Sequence, residues 1–185
     1  MKKYWTFIPI VIYPYLYLIL LLIYTAIAMI LAKFNAENAI LEYGGLFLLL
    51  FGILYNIFAL VMAIVNSVIV ARGRKYDLRT AAKINMLVKC ILIPSYIFHF
   101  IVGFFSFLAS VWGIGLLIFV IAIDFITILL SGISGIGLAI FSYKEGMLSR
   151  GKAVLLGIFN FVYVIDVILA IVYFFEVKNM KRVYE

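Results

Sequence analysis

Leu46–Val70 reads LFLLLFGILYNIFALVMAIVNSVIV, about 25 residues without a charged side chain. A helix rising 1.5 Å per residue needs roughly 20 apolar residues to cross a hydrocarbon core about 30 Å thick. Lipid offers the backbone no hydrogen-bond partners, so a chain within it must pair its own N–H and C=O groups, as a helix does. This stretch therefore predicts a membrane-spanning helix.

Four further apolar blocks flank it, at Trp5–Leu31, Ile84–Phe107, Gly113–Phe141 and Ala153–Phe175. The fold class expected is all-α, a single transmembrane helix bundle over residues 1–185 with five spans. Composition agrees: 68% of residues are hydrophobic and 12% charged, against roughly 45–50% and about 25% in soluble chains. Met1-Lys2-Lys3 followed by an apolar run and Ala26-Ile27-Ala28 has the outline of a signal peptide. The run from Tyr4 to Ala32 is about twice as long as such a segment needs, and reads as a helix that stays.

The loops set the orientation. With the N-terminus inside, the inner segments hold eleven basic residues: Lys2, Lys3, Arg72, Arg74, Lys75, Arg79, Lys83, Lys89, Lys144, Arg150 and Lys152. The outer segments hold four, Lys33, Lys178, Lys181 and Arg182, with Glu37 and Glu42 beside the first of them. Basic residues favour the cytoplasmic side. The basic C-terminal tail resists this arrangement, and an even number of spans would cure it. The alternative is six spans with the fourth helix broken at Ser131–Gly137.

The net charge of +7 lies in short loops and not on one face of a soluble element, which argues against nucleic acid. Its fitting partner is the lipid bilayer: Arg72, Arg74, Lys75 and Arg79 are expected to meet anionic headgroups, at about 1 kcal/mol per basic residue. Tyr4, Trp5, Trp112 and Tyr143 sit at block ends as interfacial anchors. The lone Cys90 allows no disulfide within the chain. Ser149 is placed to cap the fifth helix.

In lipid, small and polar residues mark the faces where helices meet. Such seams run through Tyr13, Tyr17, Tyr24 and Ala28; through Gly52, Asn56, Ala59, Ala63, Asn66 and Val70; through Ser95, His99, Gly103, Ser106 and Ser110; through Asp124, Thr127, Ser131, Ser134 or Gly135, and Ser142; and through Tyr163, Asp166, Ala170 and Tyr173. Asn56, His99, Asp124 and Asp166 each fall close to their block's midpoint. Carboxylates at that depth cost about 2.5–3.5 kcal/mol to insert, so the four, with Tyr163, form a candidate site for a proton, a small ion or a small molecule. The competing reading is a structural hydrogen-bond network. No metal is expected, since a metal site needs more ligands and His99 has no second histidine and no free cysteine nearby. No cofactor motif is present.

Gly132-Ile133-Ser134-Gly135 matches the G-x-S-G pattern of intramembrane rhomboid proteases, but the histidine precedes the serine where those enzymes place it after. Helix packing by small residues is the better reading, and no enzymatic activity is expected. Pro94 beside Ser95 is placed to kink the third helix.

Asn85-Met86-Leu87-Val88-Lys89, Ile93-Pro94-Ser95-Tyr96, Ser131–Gly137, Lys144-Glu145-Gly146, Leu148-Ser149, Ile165-Asp166-Val167 and Val177-Lys178 resemble a family of uncharacterised small membrane proteins of Gram-positive bacteria over roughly the C-terminal half. The resemblance implies a bacterial plasma membrane, crossed several times, and no particular activity. Size and span number are similar to those of the substrate-binding subunits of energy-coupling vitamin transporters, whose motifs are absent. Two functions follow as expectations: transport or binding through the midplane cluster, or an accessory role docking on a membrane-protein partner or a second copy.

Overall fold

The computed structural model describes the backbone of residues 5–33 and 39–180, with side chains except at 21, 32, 39–42, 110, 112 and 180. Tyr4, Glu37 and the basic residues Lys2, Lys3, Lys181 and Arg182 lie outside the described residues, as do the side chains of Glu42, Ser110 and Trp112.

Four long helices follow the first four apolar blocks: α1 (Ile8–Lys33), α2 (Ala39–Ala71), α3 (Leu78–Leu108) and α4 (Ile114–Lys144). All four are long and apolar enough to cross a membrane. Asp77 starts α3, its carboxylate accepting the Thr80 N–H at 3.4 Å. Gly146 ends α4 at φ +71°, a conformation that costs glycine little. Ser149 occupies the capping position of the next helix, but its side chain makes no capping hydrogen bond.

The seams face inward. Gly52, Ala59, Ala63, Asn66 and Val70 are buried on α2, and Ser95, His99 and Ser106 on α3. Thr127, Ser131, Ser134, Gly135 and Ser142 are buried on α4. Large apolar side chains such as Phe47, Leu54, Phe100 and Phe125 point outward. The hydroxyls on these seams satisfy themselves against their own helices: Thr127 donates to Ile123 O at 2.7 Å, Ser134 to Leu130 O at 3.3 Å and Ser142 to Leu138 O at 2.6 Å.

Two expectations are corrected. The Ser131–Gly137 stretch does not break the fourth helix, since α4 runs unbroken for 31 residues. The interruption falls in the fifth block instead, where α5 (Arg150–Phe159, 10 residues) and α6 (Ile165–Met180, 16 residues) are separate helices. Between them Asn160–Val164 turns the chain, with Val164 at φ 68°.

The turn reverses direction. α5 runs back along α4, so that Arg150 and Ala153 share a cavity with Tyr143 and Ala139, and Gly157 and Phe161 with Ile136. α6 then returns. Tyr173 donates to Ser142 Oγ at 2.5 Å, and Val177 shares a cavity of about 790 Å3 with Gly73–Arg79, Phe141 and Glu145–Met147. At the same end Lys144 Nζ donates to Ala71 O at 3.0 Å and Asn66 Nδ2 to Thr6 O at 2.6 Å. The start of α1, the α2–α3 and α4–α5 turns and the end of α6 therefore share one end of the bundle. Arg72, Arg74, Lys75, Arg79, Lys83, Lys144, Arg150, Lys152 and Lys178 gather there, with Lys33 opposite.

Glycines seat the hairpin tip. A Cβ on Gly132 would lie 2.6 Å from the Phe161 ring and 3.0 Å from Asn160 O. One on Gly135 would lie 2.3 Å from Asn160 Oδ1. Asn160 in turn donates to Leu156 O at 2.7 Å, closing the last turn of α5. The glycines of α4 thus form a notch for the tip. Gly137 plays the same part toward α2, where a Cβ would meet Ser67 O at 2.3 Å.

Candidate functional site

The five sequence-predicted residues do not converge in one cluster. They divide into three groups along the bundle.

The first group lies under the hairpin tip. Asp166 begins α6 and is 1% exposed. Its Oδ1 accepts the Val167 N–H at 2.8 Å, and its Oδ2 accepts Lys89 Nζ at 2.7 Å. A helix N-terminus favours a carboxylate there. Lys89 is completely buried and also donates to Asn160 O at 3.1 Å and Ser131 Oγ at 3.2 Å. An ammonium has three N–H donors and no acceptor, and each donor of Lys89 has its own oxygen. Ser131 completes its own bonding by donating to Ile128 O at 3.2 Å.

The second group lies farther along α3. His99 Nδ1 and Asp124 Oδ1 are 2.5 Å apart, with side-chain exposures of 0% and 20%. His99 Nε2 is buried without a hydrogen-bond partner among the described residues. Ten residues of α3 separate His99 from Lys89, about 15 Å at ~1.5 Å per residue. The two acidic sites are therefore at different depths.

Tyr96 stands between them on the same face. It is 6% exposed, and its hydroxyl lies beside Ser131 and within electrostatic reach of both Asp166 and Asp124. Its ring meets Tyr163 edge-on at 5.0 Å. Tyr163 is thus the aromatic cover of the tip and is 42% exposed on the outer side. The third group stands apart: Asn56 donates to Tyr17 OH at 2.9 Å, and Tyr17 donates to Gly52 O at 2.9 Å, between α1 and α2.

By sequence Lys89 falls among the inner loop cations; in the structure it is buried and bonded to Asp166. The signal was present, since Lys89, Tyr96 and His99 are spaced seven and three and so share a helix face. Lys89 also stands five residues inside the third apolar block, too deep for a loop. Asn160 carried no such signal, because its contribution is a main-chain carbonyl exposed by the turn.

Among the described residues no group of three His, Cys, Asp or Glu side chains comes together. Ser134 is turned onto its own helix and His99 onto Asp124, so the G-x-S-G stretch carries no serine–histidine pair; it serves the tip notch. Arg72, Arg74, Lys75 and Arg79 are exposed at the basic end of the bundle.

No curated protein and no solved structure matches this chain. A family model does, over residues 4–179. The chain belongs to the Family of unknown function (DUF6652).

Proposed function

We propose that this is a multi-pass protein of a bacterial plasma membrane that binds and moves a proton or small cation through the interior of its bundle. The observation that carries the reading is the ion pair of Lys89 and Asp166, wholly buried where a helix hairpin ends in mid-bundle. Interrupted helices with their backbone groups turned inward are a recurrent means of binding ions at membrane depth. A buried charge pair is weak support for stability alone, because desolvation offsets its attraction, whereas ionisable groups inside a membrane commonly mark ion or proton paths. Tyr96 and the His99–Asp124 pair continue the polar line toward the opposite end.

In this reading α1–α4 span the bilayer and α5–α6 form a re-entrant hairpin, with both chain ends cytoplasmic. That arrangement supports the positive-inside bias more fully than five spans, since Lys178 joins the inner cations and Lys33 is left alone outside. It removes the difficulty of the basic tail. The exposed Arg72, Arg74, Lys75 and Arg79 then face anionic headgroups.

The test is reconstitution into vesicles carrying an internal pH dye, with a potassium or sodium gradient imposed. The wild-type protein is expected to move protons in response, and Asp166→Asn to abolish the response. Wild-type vesicles that behave like empty ones remove the proposal.

A second reading, an accessory subunit, draws on a different observation. The hairpin fills only one half of the bundle, so the far halves of α3 and α4 are left exposed at Phe100, Phe104, Ile118, Ile121 and Phe125, beside the partly exposed Asp124. A partner helix seated there would appear as a second protein at fixed stoichiometry after purification in mild detergent, and its loss with Phe125→Ala would support that role.

A further inference from the structure

We infer that the groove between α4 and α5 holds one acyl chain of an anionic phospholipid, with the phosphate of its headgroup at Arg150. The inference rests on the membrane placement and the hairpin of the reading above, and not on ion movement. The groove encloses about 570 Å3. Ile136 and Ile140 of α4 and Val154 and Ile158 of α5 line it, with Phe161 at the hairpin tip. Ala139 and Ala153, its buried positions, are small. Arg150 is the one charged residue on the lining, and it stands with Tyr143 at the end where the basic loops gather.

Length fits one leaflet. Arg150 and Gly157 on α5 are seven residues apart, as are Ile136 and Tyr143 on α4, a run of roughly 11 Å at ~1.5 Å per residue. Half of a hydrocarbon core about 30 Å thick is about 15 Å. A groove entered at headgroup level therefore ends within the same leaflet, as a single lipid chain does.

Charge narrows the class. A guanidinium meets a phosphate through paired N–H donors. Residues 144–152 carry Lys144, Arg150 and Lys152 against Glu145, so the mouth is net positive and favours an anionic lipid over a zwitterionic one. An interfacial tyrosine such as Tyr143 sits at that same headgroup level. A free phosphate would use the mouth alone and leave the apolar run uncovered.

Gly157 gives independent support. Glycine inside a helix weakens it relative to alanine. A Cβ added at Gly157 would meet nothing within 4 Å, so the packing of the chain does not require a bare position there. An occupant of the groove does. α5 is also thinly packed, since of its ten residues only Ala153 and Leu156 are buried. A chain lying in the groove covers Val154 and Ile158 and fastens the hairpin to α4.

The experiment uses the full chain in mild detergent with equal amounts of phosphatidylglycerol and phosphatidylcholine of the same chain length. Bound lipid is read by native mass spectrometry. Wild-type protein is expected to retain one phosphatidylglycerol per chain, about fivefold in preference to phosphatidylcholine. Arg150→Gln should lose that preference, whereas Arg72→Gln, at an exposed basic residue outside the groove, should keep it. Gly157→Leu, whose added side chain fills the groove, should retain neither lipid. Equimolar inorganic phosphate should not displace the bound lipid. Equal retention of the two lipids by wild-type protein overturns the inference, whether or not the variants fold. So does a preference that survives in Arg150→Gln or is lost equally in Arg72→Gln, undiminished retention in Gly157→Leu, or displacement by phosphate. Phosphatidylglycerol retained by a protein that moves no protons in vesicles upholds this site and removes only the transport role; proton movement without a lipid preference does the converse.

Discussion

Val164 and Gly135 hold the hairpin tip in opposite ways. Val164 sits at φ 68°, a region that costs a branched L-residue about 1–2 kcal/mol. Its side chain is 54% exposed toward the bundle surface, so little packing is lost on removing it. Val164→Gly is expected to stabilise the protein by about 1 kcal/mol, read as a rise in Tm; a fall would show that the turn is not strained. Gly135 gives the reverse result. A Cβ there meets Asn160 Oδ1 at 2.3 Å, and overpacking of this kind costs typically about 1–3 kcal/mol. Gly135→Ala should lower Tm accordingly. A Cβ added to Gly157, one helix away, would meet nothing within 4 Å. Gly157→Ala should therefore leave Tm unchanged or raise it, by up to about 1 kcal/mol in stability. Equal effects at the two glycines would mean that the notch does not seat the tip.

At the scale of elements, the Lys89–Asp166 bond ties α3 to α6 and, through Ser131 and Asn160 O, to α4 and the tip. Removing one partner of a buried pair leaves the other charge uncompensated, at about 3–5 kcal/mol, while removing both is much less costly. Asp166→Asn and Lys89→Met should each destabilise strongly, and the double variant should be less destabilised than the sum of the two. Strict additivity across that cycle would mean the two residues do not interact. The elements themselves differed in how plainly the sequence announced them. The four long helices and their inward seams follow from block length and from small residues at helical spacing, and both are properties of local sequence. The break at Asn160–Val164 does not follow, because Val162, Val164 and Ile165 are as apolar as any span and no glycine or proline marks the turn. What fixes it is tertiary: the glycine notch of α4 accepts Asn160 and Phe161, and Lys89 of α3 holds Asp166. The same long-range cause separated Asp166 from the rest of the predicted site, since it shares a nominal depth with Asn56 and His99 only when α6 is read as part of a straight fifth helix; Asn56 stands apart because it faces Tyr17 of α1.

For the whole molecule, the direction of that hairpin decides the topology. If α5 and α6 enter and leave on one side, the charge distribution, the depth of Asp166 and the three oxygens around Lys89 belong to one arrangement. If they formed a crossing helix, α6 would run the other way and Tyr173 would sit far from Ser142. The direct measurement is labelling of single cysteines by a membrane-impermeant maleimide in a Cys90→Ala background. Lys75→Cys, Lys33→Cys and Lys178→Cys would be compared in intact cells and in inverted vesicles. Lys178→Cys is expected to react together with Lys75→Cys from the cytoplasmic side, and Lys33→Cys from the opposite one. Lys178→Cys reacting from the same side as Lys33→Cys would contradict it, because the fifth apolar block would then cross the bilayer and no hairpin tip would stand at Lys89.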